Sequence, residues 1–367
     1  MGFIGTGMIS NTYLDNLTSF PDIRVLILSD LNVDLAKAQA KKYRVPQWGT
    51  PDDVLGHPDV EVVVNLTIPV AHAEISGKAI AAGKHVWSEK PISVDRASGR
   101  ELLAQAQAAG VLVGVAPDTV LGPGVQTALR AIAHGDIGEP LSAQTTMQYV
   151  GPDIFHPSPE FLFAKGAGPV FDIGPYYLTT LIHVFGSVRS VAAVGSKRHA
   201  TRTIQVGDRA GTEFDVEVPT HVCAIAKYVD GGISQSVFSF DSPIARTGIV
   251  EVSGTEGTLV IPDPNAFTGE VKITRDPVAA AMAEEPEWED VPVTGVYASR
   301  GLGVLDLARA ARTGRQPLAS GELAYHVLDT MVAIDDAVTK EQTVTVESRV
   351  ERVLPVPEDY DPFAATL

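Results

Sequence analysis

Along the first third of the chain, short apolar runs alternate with stretches whose apolar residues recur every three or four positions. The runs are Gly2-Phe3-Ile4-Gly5, Arg24-Val25-Leu26-Ile27-Leu28, residues 60–66, His85-Val86-Trp87 and Val111-Leu112-Val113-Gly114-Val115. Residues 34–43, 72–82 and 95–109 between them carry helical periodicity. Continuous apolar runs separated by amphipathic helices predict parallel strands buried on both faces, an α/β domain over residues 1–118.

Residues 117–124 form a loop rich in Pro and Gly, and one more helix is expected over 125–134. Beyond it the texture changes. Period-two strands are expected at 141–149, 220–228, 233–240 and 248–253, several separated by glycine turns such as Asp230-Gly231-Gly232. Residues 276–290 read as an exposed excursion, and 302–312 and 322–338 as closing helices. This predicts an α+β domain over 119–367 with a mainly antiparallel sheet.

Composition limits the function classes. The 367 residues carry 28 Lys+Arg against 45 Asp+Glu, a net charge of -17, which disfavours nucleic acid and anionic membrane surfaces. Cys223 is the only cysteine, so neither an intramolecular disulfide nor a thiolate zinc site is available, and no His/Asp pair shows metal-ligand spacing. No basic leader and no 18-residue apolar span occurs, so a cytoplasmic protein is expected. The opening strand is short, which leads us to expect a natural start a few residues upstream of Met1.

Candidate chemistry begins at the first turn. Gly5-Thr6-Gly7-Met8-Ile9-Ser10 follows the first run and precedes a helix, the strand-turn-helix setting of a GxGxxG element with Ser10 in place of its third glycine. Gly5 permits the tight turn, and Gly7 lets the backbone approach a pyrophosphate at the helix N-terminus. Asp30 ends the second run, 25 positions after Gly5, where a carboxylate can accept both ribose hydroxyls of an adenosine. A negative charge there opposes a 2′-phosphate, so NAD is expected in preference to NADP; the bland alternative is that Asp30 caps a turn. Lys90 follows His85-Val86-Trp87-Ser88-Glu89, which places it at the carboxyl end of a strand, where open α/β sheets bind ligands.

Gly5-x-Gly7, Asp30, residues 65–72, residues 82–91 with Glu89-Lys90-Pro91, and residues 168–177 with Asp172 and Tyr176 resemble the Gfo/Idh/MocA oxidoreductases in order and spacing. The resemblance implies a doubly wound Rossmann domain followed by an open-faced sheet domain, with nicotinamide and a sugar-like substrate meeting between them. It also implies that Lys90 is catalytic, that Glu89 supports the nicotinamide side, and that Thr67, Ile68, Pro69 and His72 line the cofactor. Asp172 and Tyr176 correspond to the substrate-domain pair, with tyrosine where many members carry histidine. Tyr176 would exchange the substrate proton, its phenolate favoured by the Lys90 ammonium, and Asp172 would orient Lys90 or accept a substrate hydroxyl. Helix capping for Asp172 and core packing for Tyr176 are the alternatives.

Asp118 and Thr119, after the last strand of the first domain, and His156 and His221 in the second are further candidate substrate contacts. The expected activity is NAD-dependent hydride transfer with a secondary alcohol or ketone of a sugar, sugar derivative or cyclitol. Two other classes remain open, a glycoside-cleaving enzyme that works through a transient keto sugar and a non-catalytic NAD- and sugar-binding regulator. A homodimer or homotetramer built through the C-terminal sheet is expected from the resemblance.

Overall fold

The computed structural model describes residues 1–367 as two compact units. The first comprises Met1–Pro123, Thr294–Leu328 and Val356–Leu367, and the second Gly124–Val293 and Asp329–Pro355. The division expected after residue 118 thus has a counterpart at Pro123, but the first unit also takes in two later segments. Periodicity identifies a helix without saying which sheet it covers, and helix Leu302–Thr313 packs on the first sheet.

In the first unit β1 (Gly2–Ile4), β2 (Ile27–Ser29), β3 (Gln47–Gly49), β4 (Val62–Asn65), β5 (His85–Ser88) and β6 (Val113–Val115) form a parallel sheet. Their order is β3-β2-β1-β4-β5-β6, so the winding reverses between β1 and β4. At such a reversal two neighbouring loops leave the carboxyl edge in opposite directions and open a crevice for ligand. β1, β2, β4 and β6 are buried throughout, as their unbroken apolar runs require. The exception is β3, Gln-Trp-Gly, an edge strand with two exposed residues and no apolar run to announce it.

Trp87 on β5 is fully buried. A Cβ at Gly303 would lie 2.1 Å from its ring, so helix Leu302–Thr313 brings bare backbone against the indole and no other residue fits. The C-terminal segment is held to the same unit by Asp22, whose carboxylate accepts from the amides of Thr366 and Leu367 and pairs with Arg309 at 2.8 Å.

The second unit holds β7 (Pro140–Gln148), β8 (Val188–Ser196), β9 (Thr201–Thr203), β10 (Glu213–Asp215), β11 (His221–Tyr228), β12 (Ile233–Ser239), β13 (Arg246–Gly254), β14 (Gly257–Ile261), β15 (Val271–Arg275), β16 (Glu289–Val291) and β17 (Val344–Thr345). Nine of them make one sheet, β16-β15-β14-β13-β7-β12-β11-β8-β17, antiparallel except for the β7–β12 pair. β9 and β10 pair separately. The expected excursion at 276–290 contains a short helix, Pro277–Met282, and the start of edge strand β16.

Helix Gly174–Phe185 packs on β7 and is buried at every residue, which its apolar composition allows. Strands show the alternation of a sheet covered on one side: along β11, Val222, Ala224, Ala226 and Tyr228 are buried while Ile225 is exposed. Val194, Ile225 and Ile233 leave apolar surface on the uncovered face. No helix is long and apolar enough to cross a membrane.

Candidate active site

The glycine turn after β1 has one conformational requirement. Gly5 has φ of 101° and a Cβ there would sit 2.6 Å from the carbonyl oxygen of Leu66, so the turn closes only with glycine. Ser10 replaces a glycine without loss of closeness: it is fully buried, and its hydroxyl donates to the Gly7 carbonyl at 2.7 Å. Thr6 donates from both its amide and its hydroxyl to Asp30 Oδ2, at 2.8 and 2.9 Å, and the Asn32 amide donates to Oδ1 at 3.0 Å. The Asp30 carboxylate is therefore fixed at the carboxyl end of β2, next to the turn.

These residues fit a dinucleotide. A Cβ at Gly7 would meet nothing within 4 Å, so the space over the turn is open. Around that edge Met8 after β1, Leu31 after β2, and Ile68 and Val70 after β4 are exposed, Leu31 to 94%. Apolar side chains left bare on loops that follow three adjacent parallel strands suit the flat faces of bases. The exposure of Leu31 and Val70 was not legible in the sequence, since an isolated apolar residue in a turn carries no periodicity.

The loop after β4 is tied down from inside. Asn65, fully buried, donates through Nδ2 to the His72 carbonyl and Ser76 Oγ and accepts the Thr67 amide and hydroxyl at Oδ1. His72 was expected on the cofactor surface. It is instead only 1% exposed, with Nδ1 2.7 Å from the Pro91 carbonyl oxygen and Nε2 3.0 Å from that of Thr67. Burial holds its pKa below the usual histidine value, against the pull of the two carbonyls. Its direct effect is to join the Thr67 loop to the residue after Lys90.

Lys90 follows β5, and its amide donates to Glu89 Oε2 at 3.1 Å. Glu89 Oε1 accepts from the Tyr13 hydroxyl at 2.9 Å, and Tyr13 in turn accepts from Trp87 Nε1 at 3.1 Å. Burial, reinforced by the Glu89 charge, raises the Tyr13 pKa well above 10, so the hydroxyl keeps the proton it donates. Arg300 approaches Glu89 Oε1 to 4.0 Å. Tyr13 and Arg300 escaped the sequence reading. Tyr13 lies among the core positions of helix Ile9–Leu17, and a buried tyrosine needs a partner for its hydroxyl, the one signal available.

Asp118 is fully buried, and its Oδ2 accepts the amides of Gly301 and Gly303 at 2.8 and 3.1 Å, fixing the start of helix Leu302–Thr313. Burial raises its pKa, opposed by Arg300 and these amides. Its Oδ1 and the Thr119 hydroxyl are buried without a hydrogen-bond partner.

In the second unit Asp172 ends the short helix Pro169–Asp172, and Tyr176, 5% exposed, lies in the first turn of helix Gly174–Phe185. The two are not on one continuous helix. Pro175 has no amide to donate to Phe171, and the chain breaks at Ile173. Asp172 lies close enough to Tyr149 to help burial raise the Tyr149 pKa. His156 is half-buried, accepts the Ser158 amide at Nδ1 and meets the Phe161 ring edge-on at 5.4 Å. His221 lies on β11 with Nε2 3.5 Å from Cys223 Sγ. The exposed Phe155 stacks on Tyr149 at 6.3 Å, an aromatic platform on the same segment as His156.

Residues 1–116 match the model of the oxidoreductase family with an NAD-binding Rossmann fold, and residues 125–260 match the GFO/IDH/MocA C-terminal domain. Among curated relatives, the trans-1,2-dihydrobenzene-1,2-diol dehydrogenase of Bos taurus is 28% identical over 268 residues, 72% of this chain and 74% of the relative. The 1,5-anhydro-D-fructose reductase of Ensifer adhaerens is 27% identical over 359 residues, 95% and 98% of the two chains. Among solved structures, a levoglucosan dehydrogenase in complex with NADH and levoglucosan superposes with a TM-score of 0.80 at 22% identity, over 95% of this chain and 99% of that one. An NAD binding oxidoreductase from Klebsiella pneumoniae gives 0.79 at 25% identity, over 94% and 98%.

Proposed function

The chain belongs to the GFO/IDH/MocA oxidoreductase family, and from that premise we propose that it moves hydride between NAD and a secondary alcohol or ketone of a sugar, sugar derivative or cyclitol. The observation that carries this reading is the setting of Lys90. It leaves the carboxyl end of β5 beside the Asn65–His72 loop, and its backbone amide is held by Glu89, itself held by a buried tyrosine. A cation held at that edge polarises a substrate oxygen where a nicotinamide would lie. The named relatives act on a diol and an anhydro sugar, which supports a polyhydroxy substrate.

Bound NAD supplies the hydride acceptor. Asp30, Thr6 and the Gly5–Gly7 turn hold its adenosine end, and Glu89 and the 67–69 loop its nicotinamide end. Tyr176 exchanges the hydroxyl proton. Lys90 polarises the substrate oxygen by its charge, and Asp172 accepts a second substrate hydroxyl. Lys90 belongs to the first unit and Asp172 and Tyr176 to the second, so the reading requires all three on one substrate. The uncovered sheet face, with Val194, Ile225 and Ile233, pairs with a second copy.

The test is absorbance at 340 nm with NAD or NADP against levoglucosan, anhydro sugars, aldoses, cyclic diols and inositols. Net NADH formation is expected with NAD, falling roughly 10²- to 10⁴-fold in Lys90→Ala and Tyr176→Phe while NADH binding persists. Undiminished turnover in either variant removes that residue from the chemistry. Tight NAD binding with no net NADH across the panel sinks the dehydrogenase reading.

A further inference from the structure

A recess of about 250 Å³ lies in the second unit between helix Pro123–His134, the end of helix Gly174–Phe185 and the strap formed by residues 352–355. We infer that it is a binding site for a small monocarboxylate with an apolar body of about benzene size. None of the residues that line it is assigned to hydride transfer.

Three observations carry the inference. His183 lines the recess and is only 5% exposed, yet neither Nδ1 nor Nε2 has a hydrogen-bond partner. An imidazole always carries a donor, and buried polar groups in folded chains are almost always paired, so the partner belongs in the space the ring faces. Burial lowers the His183 pKa to about 4. Near neutrality the ring is therefore uncharged, able to donate one N–H to a carboxylate oxygen without demanding a dianion.

Arg352 is the one charged side chain lining the recess, and it makes no ion pair. A single guanidinium matches a single carboxylate, which it can bind through two parallel hydrogen bonds. The remaining wall is apolar, including Leu129, Ile132, Val353 and Leu354. An apolar cavity of roughly 150 Å³ accommodates benzene, so the space here admits a benzoate-sized guest. The strap is anchored just before it reaches the recess: Ser187 Oγ donates to the Val350 carbonyl at 3.0 Å and accepts the Val350 amide at 2.9 Å.

The probe is sodium benzoate, titrated into the full-length protein with NAD at saturation, and read by calorimetry and saturation-transfer NMR. Saturable binding at micromolar to millimolar concentration is expected. Benzyl alcohol, which keeps the body and loses the charge, should bind at least about tenfold more weakly. Arg352→Gln, at an exposed position, should weaken benzoate about tenfold, and Ala133→Phe, which narrows the mouth from the rim, should abolish it. Absence of benzoate binding overturns the inference, as does binding that both variants leave unchanged. None of these readouts depends on turnover, so a failed dehydrogenase assay leaves the result intact.

Discussion

Thr6 grips a single oxygen of Asp30 twice, through its amide at 2.8 Å and its hydroxyl at 2.9 Å. The second oxygen accepts only the Asn32 amide and so keeps spare acceptor capacity. A charge-assisted hydrogen bond is worth about 1.5–3 kcal/mol, so Thr6→Val, which removes one of the two bonds to this oxygen, should weaken NADH binding about tenfold by loosening the carboxylate. Asp30→Ala should weaken it further and narrow the preference for NAD over NADP, because the negative charge that repels a 2′-phosphate is gone. Calorimetric titration of both dinucleotides against both variants checks this. Equal NADH affinity in wild type and Asp30→Ala would contradict the assignment.

Tyr13→Phe deletes the hydroxyl between Trp87 and Glu89 and fills the same volume. It leaves a buried indole N–H and a carboxylate oxygen each short of a partner, a loss of about 1–3 kcal/mol. A lower urea midpoint with an unchanged slope is expected, accompanied by a fall in kcat as Glu89 and the Lys90 backbone lose their support. A variant as stable and as active as wild type would show that Glu89 is held by other means.

His183 makes stability depend on pH. Its folded pKa of about 4 lies below the ordinary 6.5, so on acidification the unfolded chain takes up this proton first. The contribution is complete above about pH 6.5 and is lost as pH falls towards 4, about 3 kcal/mol in all. Urea titrations at pH 7, 5.5 and 4.5 should show His183→Phe losing less stability across this window than wild type. Parallel curves would mean that the ring is not held neutral.

The uncovered sheet face predicts self-association. Ile225→Glu places a charge at the middle of that face, where a second copy would bury it. Light scattering should give a multiple of 38.9 kDa for wild type and 38.9 kDa for the variant. A wild-type monomer would end the expectation.

Much of the architecture was readable where burial imposes a pattern. β1, β2, β4, β5 and β6 coincide with apolar runs, and the Gly5 turn and Asp30 follow from where those runs end. β3 left no such trace, because an edge strand with two exposed residues does not need an apolar run. The helix break between Asp172 and Tyr176 is encoded by Pro175, which has no amide to continue the helix. Tyr13, Arg300 and His72 depend on partners distant in sequence, Glu89, Glu89 and Pro91, and no local period records such pairs.

The closeness of Gly303 to Trp87 bears on how this chain can be recombined. Because the indole is roofed by the backbone at Gly303, which the chain reaches only after the whole of Gly124–Val293, the nucleotide-binding unit is not a cassette. A single crossover after codon 118 would take the six strands and the indole from one parent and the segments that roof it, from Thr294 on, from the other. Homologous exchanges in this architecture should therefore succeed only when three pieces travel together.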